Sequence, residues 1–226
     1  MVSIITCTMR SECMDNVFEN YNQQTWENKE LIIVLNNDGM DKKKWKEKAN
    51  QFPNISVFYQ PNHVTLGECF NFAVTKAKYE YIAKFDDDDY YAPKYLSEIM
   101  EAFNQTNADI VGKKSIYAYI TDKKALVIRE QGHEKKFTEN VRDCTLVVKK
   151  EVFNNITLAH KNQRAFWEFQ IECRKKGYTI YSTSKQNFVY IKRKECHHTM
   201  KWSINEFMRK CKFVKYTENY KPLIES

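Results

Sequence analysis

The chain has little that breaks or loosens a fold. Five glycines and four prolines in 226 residues argue against a long linker rich in either. No apolar run approaches the roughly 20 residues that span a bilayer, so no transmembrane segment is expected. The seven cysteines include no Cys-x-x-Cys pair. Their odd number and irregular spacing suit reduced thiols in the cytoplasm better than a disulfide framework or a structural zinc site. The N-terminus enters a strand-like run at once, without a basic stretch or a cleavage-like site, so no secretory leader is expected. No Gly-rich phosphate loop follows that run, which counts against a nucleotidyltransferase.

What is present suits a globular fold. Apolar residues make up 42% of the chain and charged residues 29%, enough to bury a core and solvate a surface. The simplest organisation is one domain over 1–226, with a change of character near residue 110. The formal net charge is +7. Lys42 to Lys44, Lys192 to Lys194 and the group Arg209, Lys210, Lys212 and Lys215 supply basic runs. They form no continuous helical stripe and match no nucleic-acid-binding motif, so no nucleic-acid partner is expected. A solvated face is the plain reading, and the basic C-terminal part is a candidate for peripheral contact with a membrane.

The first 110 residues alternate strand and helix signals. Short β-branched or apolar runs at 2–8, 30–36, 55–59 and 81–85 predict strands; apolar stripes at 16–24, 41–51 and 66–77, and after Pro93, predict helices. Such alternation implies an α/β fold with a mostly parallel sheet flanked by helices, whose ligands bind at the carboxyl ends of the strands. Cys7 to Arg10, Asn36 to Asp38 and Asp86 to Asp89 fall at those ends and predict one shared site. Beyond residue 110, strand signals at 109–119, 125–130 and 144–149 follow each other with little helix between, so part of the sheet is expected to be antiparallel. A helix over 164–176, strands at 178–181 and 187–193, and an amphipathic helix near 202–211 complete the chain.

Four consecutive aspartates, Asp86 to Asp89, are the sharpest feature. Carboxylates this close repel, and desolvation at a strand end adds to the cost unless something positive neutralises them. Hard divalent cations such as Mg²⁺ or Mn²⁺ favour such oxygens. If the run stays extended, Asp86 and Asp88 point the same way and form an Asp-x-Asp clamp, with Asp87 directed elsewhere. The competing reading is an acidic solvated turn with Asp89 as a cap.

In order and spacing, Val2 to Thr8, Gln24 to Leu31, Asn36 to Gly39, Leu66 to Asn71 and Phe85 to Pro93 resemble family 2 glycosyltransferases of the GT-A fold, especially bacterial enzymes of spore-coat and surface polysaccharide assembly. The resemblance implies a Rossmann-like mixed sheet, with a nucleotide-sugar-binding half (1–110) and an acceptor-binding half (111–226). It implies an inverting hexosyl transfer from a UDP- or dTDP-sugar to a saccharide or lipid-linked acceptor, with Mn²⁺ or Mg²⁺ held by Asp86 and Asp88. Cys7, Thr8, Arg10, Gly67 and Asp87 fall in its donor-binding segments. Either Asn36 or Asp38 takes the place of an aspartate that contacts the base, since the turn here reads Asn-Asn-Asp-Gly. A histidine near the metal and diphosphate corresponds to His198; a zinc reading of His197 and His198 would lack partners beyond Glu195 and Cys196.

One departure concerns the general base. Where the family carries Asp or Glu before the helix at 164–176, this chain has Asn162 and Gln163, neither of which accepts a proton usefully. Asp143 and Glu168 are the carboxylates that could substitute. The alternative to an enzyme is a nucleotide-sugar-binding or partner-binding protein on the same fold.

Overall fold

The computed structural model describes residues 1–193 and 203–225. Its first half runs β1 (Val2–Thr8), α1 (Met14–Asn22), β2 (Lys29–Leu35), α2 (Lys42–Ala49), β3 (Ile55–Tyr59), α3 (Leu66–Lys76) and β4 (Tyr81–Lys84). The second half runs β5 (Tyr90–Tyr91), α4 (Tyr95–Thr106), β6 (Ile110–Gly112), β7 (Ile116–Ile120), β8 (Ala125–Arg129), β9 (Lys136–Phe137) and β10 (Val147–Lys149). It continues through α5 (Ala165–Lys175), β11 (Ile180–Ser182), β12 (Phe188–Lys192), α6 (Ile204–Arg209), β13 (Cys211–Tyr216) and α7 (Lys221–Ile224).

The large sheet has the order β3-β2-β1-β4-β10-β6-β11-β9. Its first four strands are parallel to one another. β10 runs antiparallel to both β4 and β6, and β6 is parallel to β11. The strands at its centre are apolar on both faces because both faces are covered. Ile4, Leu31, Ile33 and Leu35 pack with Phe18, Trp45, Leu96 and Phe103, from α1, α2 and α4. Ile5, Ile32 and Val34 point the other way and meet Phe70, Ala73, Phe166 and Phe169, from α3 and α5. This three-layer arrangement puts the ends of β1, β2 and β4 side by side.

A second sheet departs from the expectation of a single mixed one. β7, β8 and β12 leave the large sheet and join β5 and β13 in the order β13-β8-β7-β12-β5. The late helix also differs. It covers Ile204–Arg209, and Cys211 opens an edge strand instead of closing a helix. Trp202 lies outside the described residues.

Candidate active site

The aspartates sit on a turn. β4 ends at Lys84, and Asp87 to Asp89 form the bend that leads into β5. Side-chain alternation therefore does not apply, and the four carboxylates split into two groups. Asp87 and Asp88 converge on Arg10, while Asp86 and Asp89 converge on the Cys144 thiol, with one ligand atom of each within 4.8 Å of the others.

Helix α1 explains why the turn holds. Asn16 Nδ2 donates to the carbonyls of Asp87 and Asp89 at 2.8 and 2.9 Å, and Asn20 Nδ2 donates to Asp89 O at 2.9 Å. Asn20 Oδ1 accepts from the Tyr91 N–H at 3.0 Å. One turn on, Gln24 Nε2 reaches the carbonyls of Tyr91 and Ala92, and its Oε1 accepts from Leu96 N–H at the start of α4. These amides, Asn20 and Gln24 buried and Asn16 half-buried, satisfy backbone groups that the turn would otherwise leave unpaired. Sequence reasoning saw only the apolar side of this helix. The missed signal is amides at positions 16, 20 and 24, four apart and so on one face.

Tyr91 closes the turn from the other side. Its ring stacks on Phe85 with centroids 3.8 Å apart, and its hydroxyl accepts from Asp86 N–H at 2.7 Å while donating to Cys144 O at 2.5 Å.

Asp87 and Asp88 share Arg10, while Asp86 and Asp89 have partners of their own. Asp87 is buried and accepts from Thr8 Oγ1 at 2.5 Å, Arg10 Nε at 3.1 Å and Arg10 Nη2. Burial pushes its pKa up, and Arg10 opposes that shift. Asp88 accepts from Arg10 Nη1 at 2.8 Å, and the Arg193 guanidinium donates to its backbone carbonyl at 2.8 Å. Asp86, with about a third of its side chain exposed (34%), pairs with the buried Lys84 ammonium. Asp89 accepts from Ile191 N–H at 3.0 Å through Oδ1, but its buried Oδ2 has no partner among the described residues. Burial and the neighbouring Asp88 and Asp86 drive its pKa well up. Among the described residues, three cationic side chains thus face four acids. Arg193, assigned only to a basic run by the sequence, stands at the carboxyl end of β12.

The other expected residues fall as follows. The three polar clusters do adjoin: Asn36 N–H donates to Thr8 O at 2.8 Å, and Asn37 Nδ2 donates to Met9 O at 3.1 Å. Asn36 itself is buried, with its amide donating to Pro61 O at 2.7 Å. Asp38 is exposed and accepts from the Tyr59 hydroxyl. Cys7 is half-buried beside Cys69 and Lys84, and burial raises its thiol pKa well above the ordinary value. His198 lies outside the described residues.

Gly67 packs against the loop at 159–161, where its lack of a side chain serves close approach. A Cβ there would stand 2.0 Å from the Ala159 carbonyl oxygen, and its N–H donates to Lys161 O at 3.1 Å. Gly67→Ala gains the helix propensity of alanine, up to about 1 kcal/mol, but must push the backbone of residue 159 away. The expected net result is destabilisation of about 1–3 kcal/mol, read as a lower melting temperature.

The two candidate bases part company. Asp143, at the turn before β10, accepts from Gln170 Nε2 at 3.2 Å. Burial and the nearby Asp86 push its pKa up to about 6, against the pull of Lys84. It therefore stands within electrostatic reach of Asp86 and Lys84, next in sequence to Cys144. Glu168 turns to Lys161, whose Nζ lies 2.9 Å from each of its oxygens. Asn162 caps α3, its Oδ1 accepting from Leu66 N–H at 2.9 Å.

The model of the family described as "Glycosyl transferase family 2" matches residues 3–158. The O-antigen biosynthesis glycosyltransferase WbnJ of Escherichia coli is 30% identical over 114 residues, covering 50% of this chain and 45% of WbnJ. Among solved structures, S. aureus TarS 1-349 in complex with UDP-GlcNAc superposes with TM-score 0.65 at 16% identity, covering 89% of this chain and 61% of that one. Mannosyltransferase PcManGT from Pyrobaculum calidifontis, in complex with GDP-Man and Mn²⁺, gives TM-score 0.62 at 12% identity, covering 99% and 67%. At such identities the structural likeness shows the fold alone. The chain spans less than half the length of WbnJ and about three fifths of TarS 1-349.

Proposed function

Because the chain belongs to glycosyl transferase family 2, we propose that it moves a hexose from a UDP- or dTDP-sugar to a hydroxyl of a saccharide or lipid-linked acceptor, with inversion. The setting in this reading is surface or spore polysaccharide synthesis on the cytoplasmic side. The observation that carries it is the aspartate turn at the end of β4. It gathers Thr8, Arg10, Lys84, Arg193 and Asp143 around Asp86 to Asp89. Similar folds hold UDP-GlcNAc in one solved structure and GDP-Man with Mn²⁺ in another.

The residues fit a hard divalent cation. Carboxylates are its preferred donors, Asp89 Oδ2 is buried without a partner among the described residues, and a guanidinium already sits on Asp87 and Asp88, so the turn accepts positive charge. Asp86 and Asp88 would hold the ion once Arg10 leaves Asp88, with Asp89 beside Asp86 and His198 as further candidates. When bound, it supplies charge neutralisation for the departing diphosphate. Arg10 is then the resident counter-ion of Asp88, released toward the diphosphate as the donor enters. Lys84 holds Asp86 in place, and Thr8 orients Asp87. Cys7, Asn36 and Asp38 line the nucleoside end of the site in this reading. Asp143 takes the proton of the attacking hydroxyl as general base.

Calorimetry with UDP and dTDP, with and without Mn²⁺, tests the donor site. Loss of a charge-assisted contact is worth about 1.5–3 kcal/mol, so Asp88→Ala should weaken Mn²⁺-dependent nucleotide binding about ten- to hundredfold. Absence of nucleotide binding in the wild type would overturn the reading. The Asn162 cap on α3, standing where related enzymes place a carboxylate, favours a second reading as a donor-binding protein without transfer. Tight donor binding with neither transfer nor donor hydrolysis would select it.

A further inference from the structure

The edge of the second sheet is the part of the molecule least explained by the donor site. Among the described residues β13 pairs only with β8, and while every β8 residue is buried, residues 212–216 of β13 are all exposed. Three large apolar side chains stand there together: Phe213 at 46% exposure, Val214 at 39% and Tyr216 at 64%. The Phe213 and Tyr216 rings lie 4.8 Å apart. Lys212 and Lys215 are interleaved with them. Between residues 203 and 217, four cations (Arg209, Lys210, Lys212, Lys215) accompany one acid, Glu206, whose carboxylate is spent on capping Ser203. Glu218 beyond it is paired with Lys124.

We propose that β13 is a docking strand for an anionic lipid surface. Aromatic rings at a bilayer interface bury their apolar faces at headgroup depth, and neighbouring lysines meet the negative surface while their stems cover apolar area. Both ingredients occur here in one five-residue exposed run. Charge argues against the obvious competitor, a second copy added edge to edge. An antiparallel pairing centred on Phe213 and Val214 would set Lys212 of one copy against Lys215 of the other, and like charges directly opposite are destabilising. The register also shifts between Phe213 and Lys215, and such a bulge bends an edge away from regular pairing.

The same sheet carries β12, whose Ile191 N–H holds Asp89. β13 lies three strand spacings from β12, roughly 15 Å at about 4.8 Å each. On the proposed reading of a lipid-linked acceptor, to which this last step alone is tied, docking through β13 would bring the bilayer surface within reach of the aspartate turn. Lipid binding itself needs neither donor nor metal.

Co-sedimentation of the whole chain with vesicles of phosphatidylcholine, alone and mixed with phosphatidylglycerol, tests the proposal without nucleotide. The wild type should pellet with the anionic vesicles only, and less so at high salt. Lys212→Glu/Lys215→Glu should lower the partition coefficient about thirtyfold or more, and Phe213→Ser/Tyr216→Ser should lower it at least about tenfold. Lys43→Glu/Lys44→Glu, the same charge change on exposed positions of α2, should leave it within about twofold. No pelleting by the wild type, or an equal loss in the α2 control, would overturn the proposal. So would a dimer in light scattering that Phe213→Ser/Tyr216→Ser abolishes, which would assign the strand to a second copy. Because UDP binding is measured separately, failure here leaves the donor site standing.

Discussion

Replacing Asp143 with Asn is expected to lower kcat about 10²- to 10⁴-fold, the range for losing a positioned general base, with little change in donor affinity. The physical case rests on placement and charge together. The Asp143 turn precedes β10, which pairs antiparallel with β4 and so stands beside the strand that leads into the aspartates. Gln170 fixes it from α5, its Oε1 accepting from Val141 N–H at 2.8 Å while Nε2 donates to Asp143 Oδ1 at 3.2 Å. Burial pushes its pKa up to about 6, closer to neutrality than an exposed carboxylate, which makes it a stronger base while still ionised at pH 7. The base must be deprotonated to work, so kcat/KM should fall as pH drops through about 6. The Asn variant should lose that acid limb. Glu168→Gln, which breaks only a surface pair with Lys161, is expected to stay within about threefold of wild type, in line with the small worth of exposed ion pairs. A steady-state pH profile of the three proteins settles the assignment. Equal losses for both variants, or an unchanged acid limb in Asp143→Asn, would remove Asp143 from the role.

The contrast between Asp143 and Glu168 shows where sequence reading stops. Both are acids near a strand or helix end, and only the tertiary path of β10 and α5 separates them. The parallel strands were legible because β1, β2 and β4 are short apolar runs covered on both faces, and the half-buried edge strand β3 is still a short apolar run. The aspartate run was legible as a site but not in its shape. Alternation assumes an extended chain, and it is Asn16 and Asn20, sixty and more residues away in sequence, that bend it into a turn. Gly67 looked like a donor-site glycine, yet its need comes from Ala159 on a later loop. The edge strand β13 was illegible for a different reason. With residues 212–216 all exposed, it shows no inside–outside alternation, and Met208 and Cys211 continue the apolar spacing of the preceding helix. Contacts distant in sequence, and strands without a buried face, leave little local signal.

Glu98→Ala is expected to destabilise the fold by about 3–5 kcal/mol, the cost of leaving a buried charge without its partner. Lys113 is fully enclosed, at 0% exposure. Its ammonium donates to Glu98 Oε2 at 2.8 Å, Thr183 Oγ1 at 3.1 Å and Ser184 O at 3.0 Å. Glu98 in turn accepts from Ser184 Oγ at 2.6 Å and Asn187 Nδ2 at 3.0 Å. The group ties α4 to the chain that leaves β6 and to the segment joining β11 to β12, so it pins the two sheets to each other. Burial of the ammonium pulls the Lys113 pKa down, and Lys113 holds the Glu98 carboxyl below the usual range in spite of its own burial. A depressed carboxyl contributes stability that is present above its unfolded pKa and is lost as pH falls through the folded one, so the pair should weaken on the acid side. The two truncations should differ. Lys113→Met leaves Glu98 with hydroxyl and amide donors and with some solvent, 20% of its side chain being exposed, and should cost less than Glu98→Ala. The double variant should be more stable than the sum of the two losses predicts, because no charge is then stranded. Urea unfolding of the three variants at neutral pH measures the coupling. Additive losses would show that the pair acts as two separate polar anchors and not as one buried ion pair.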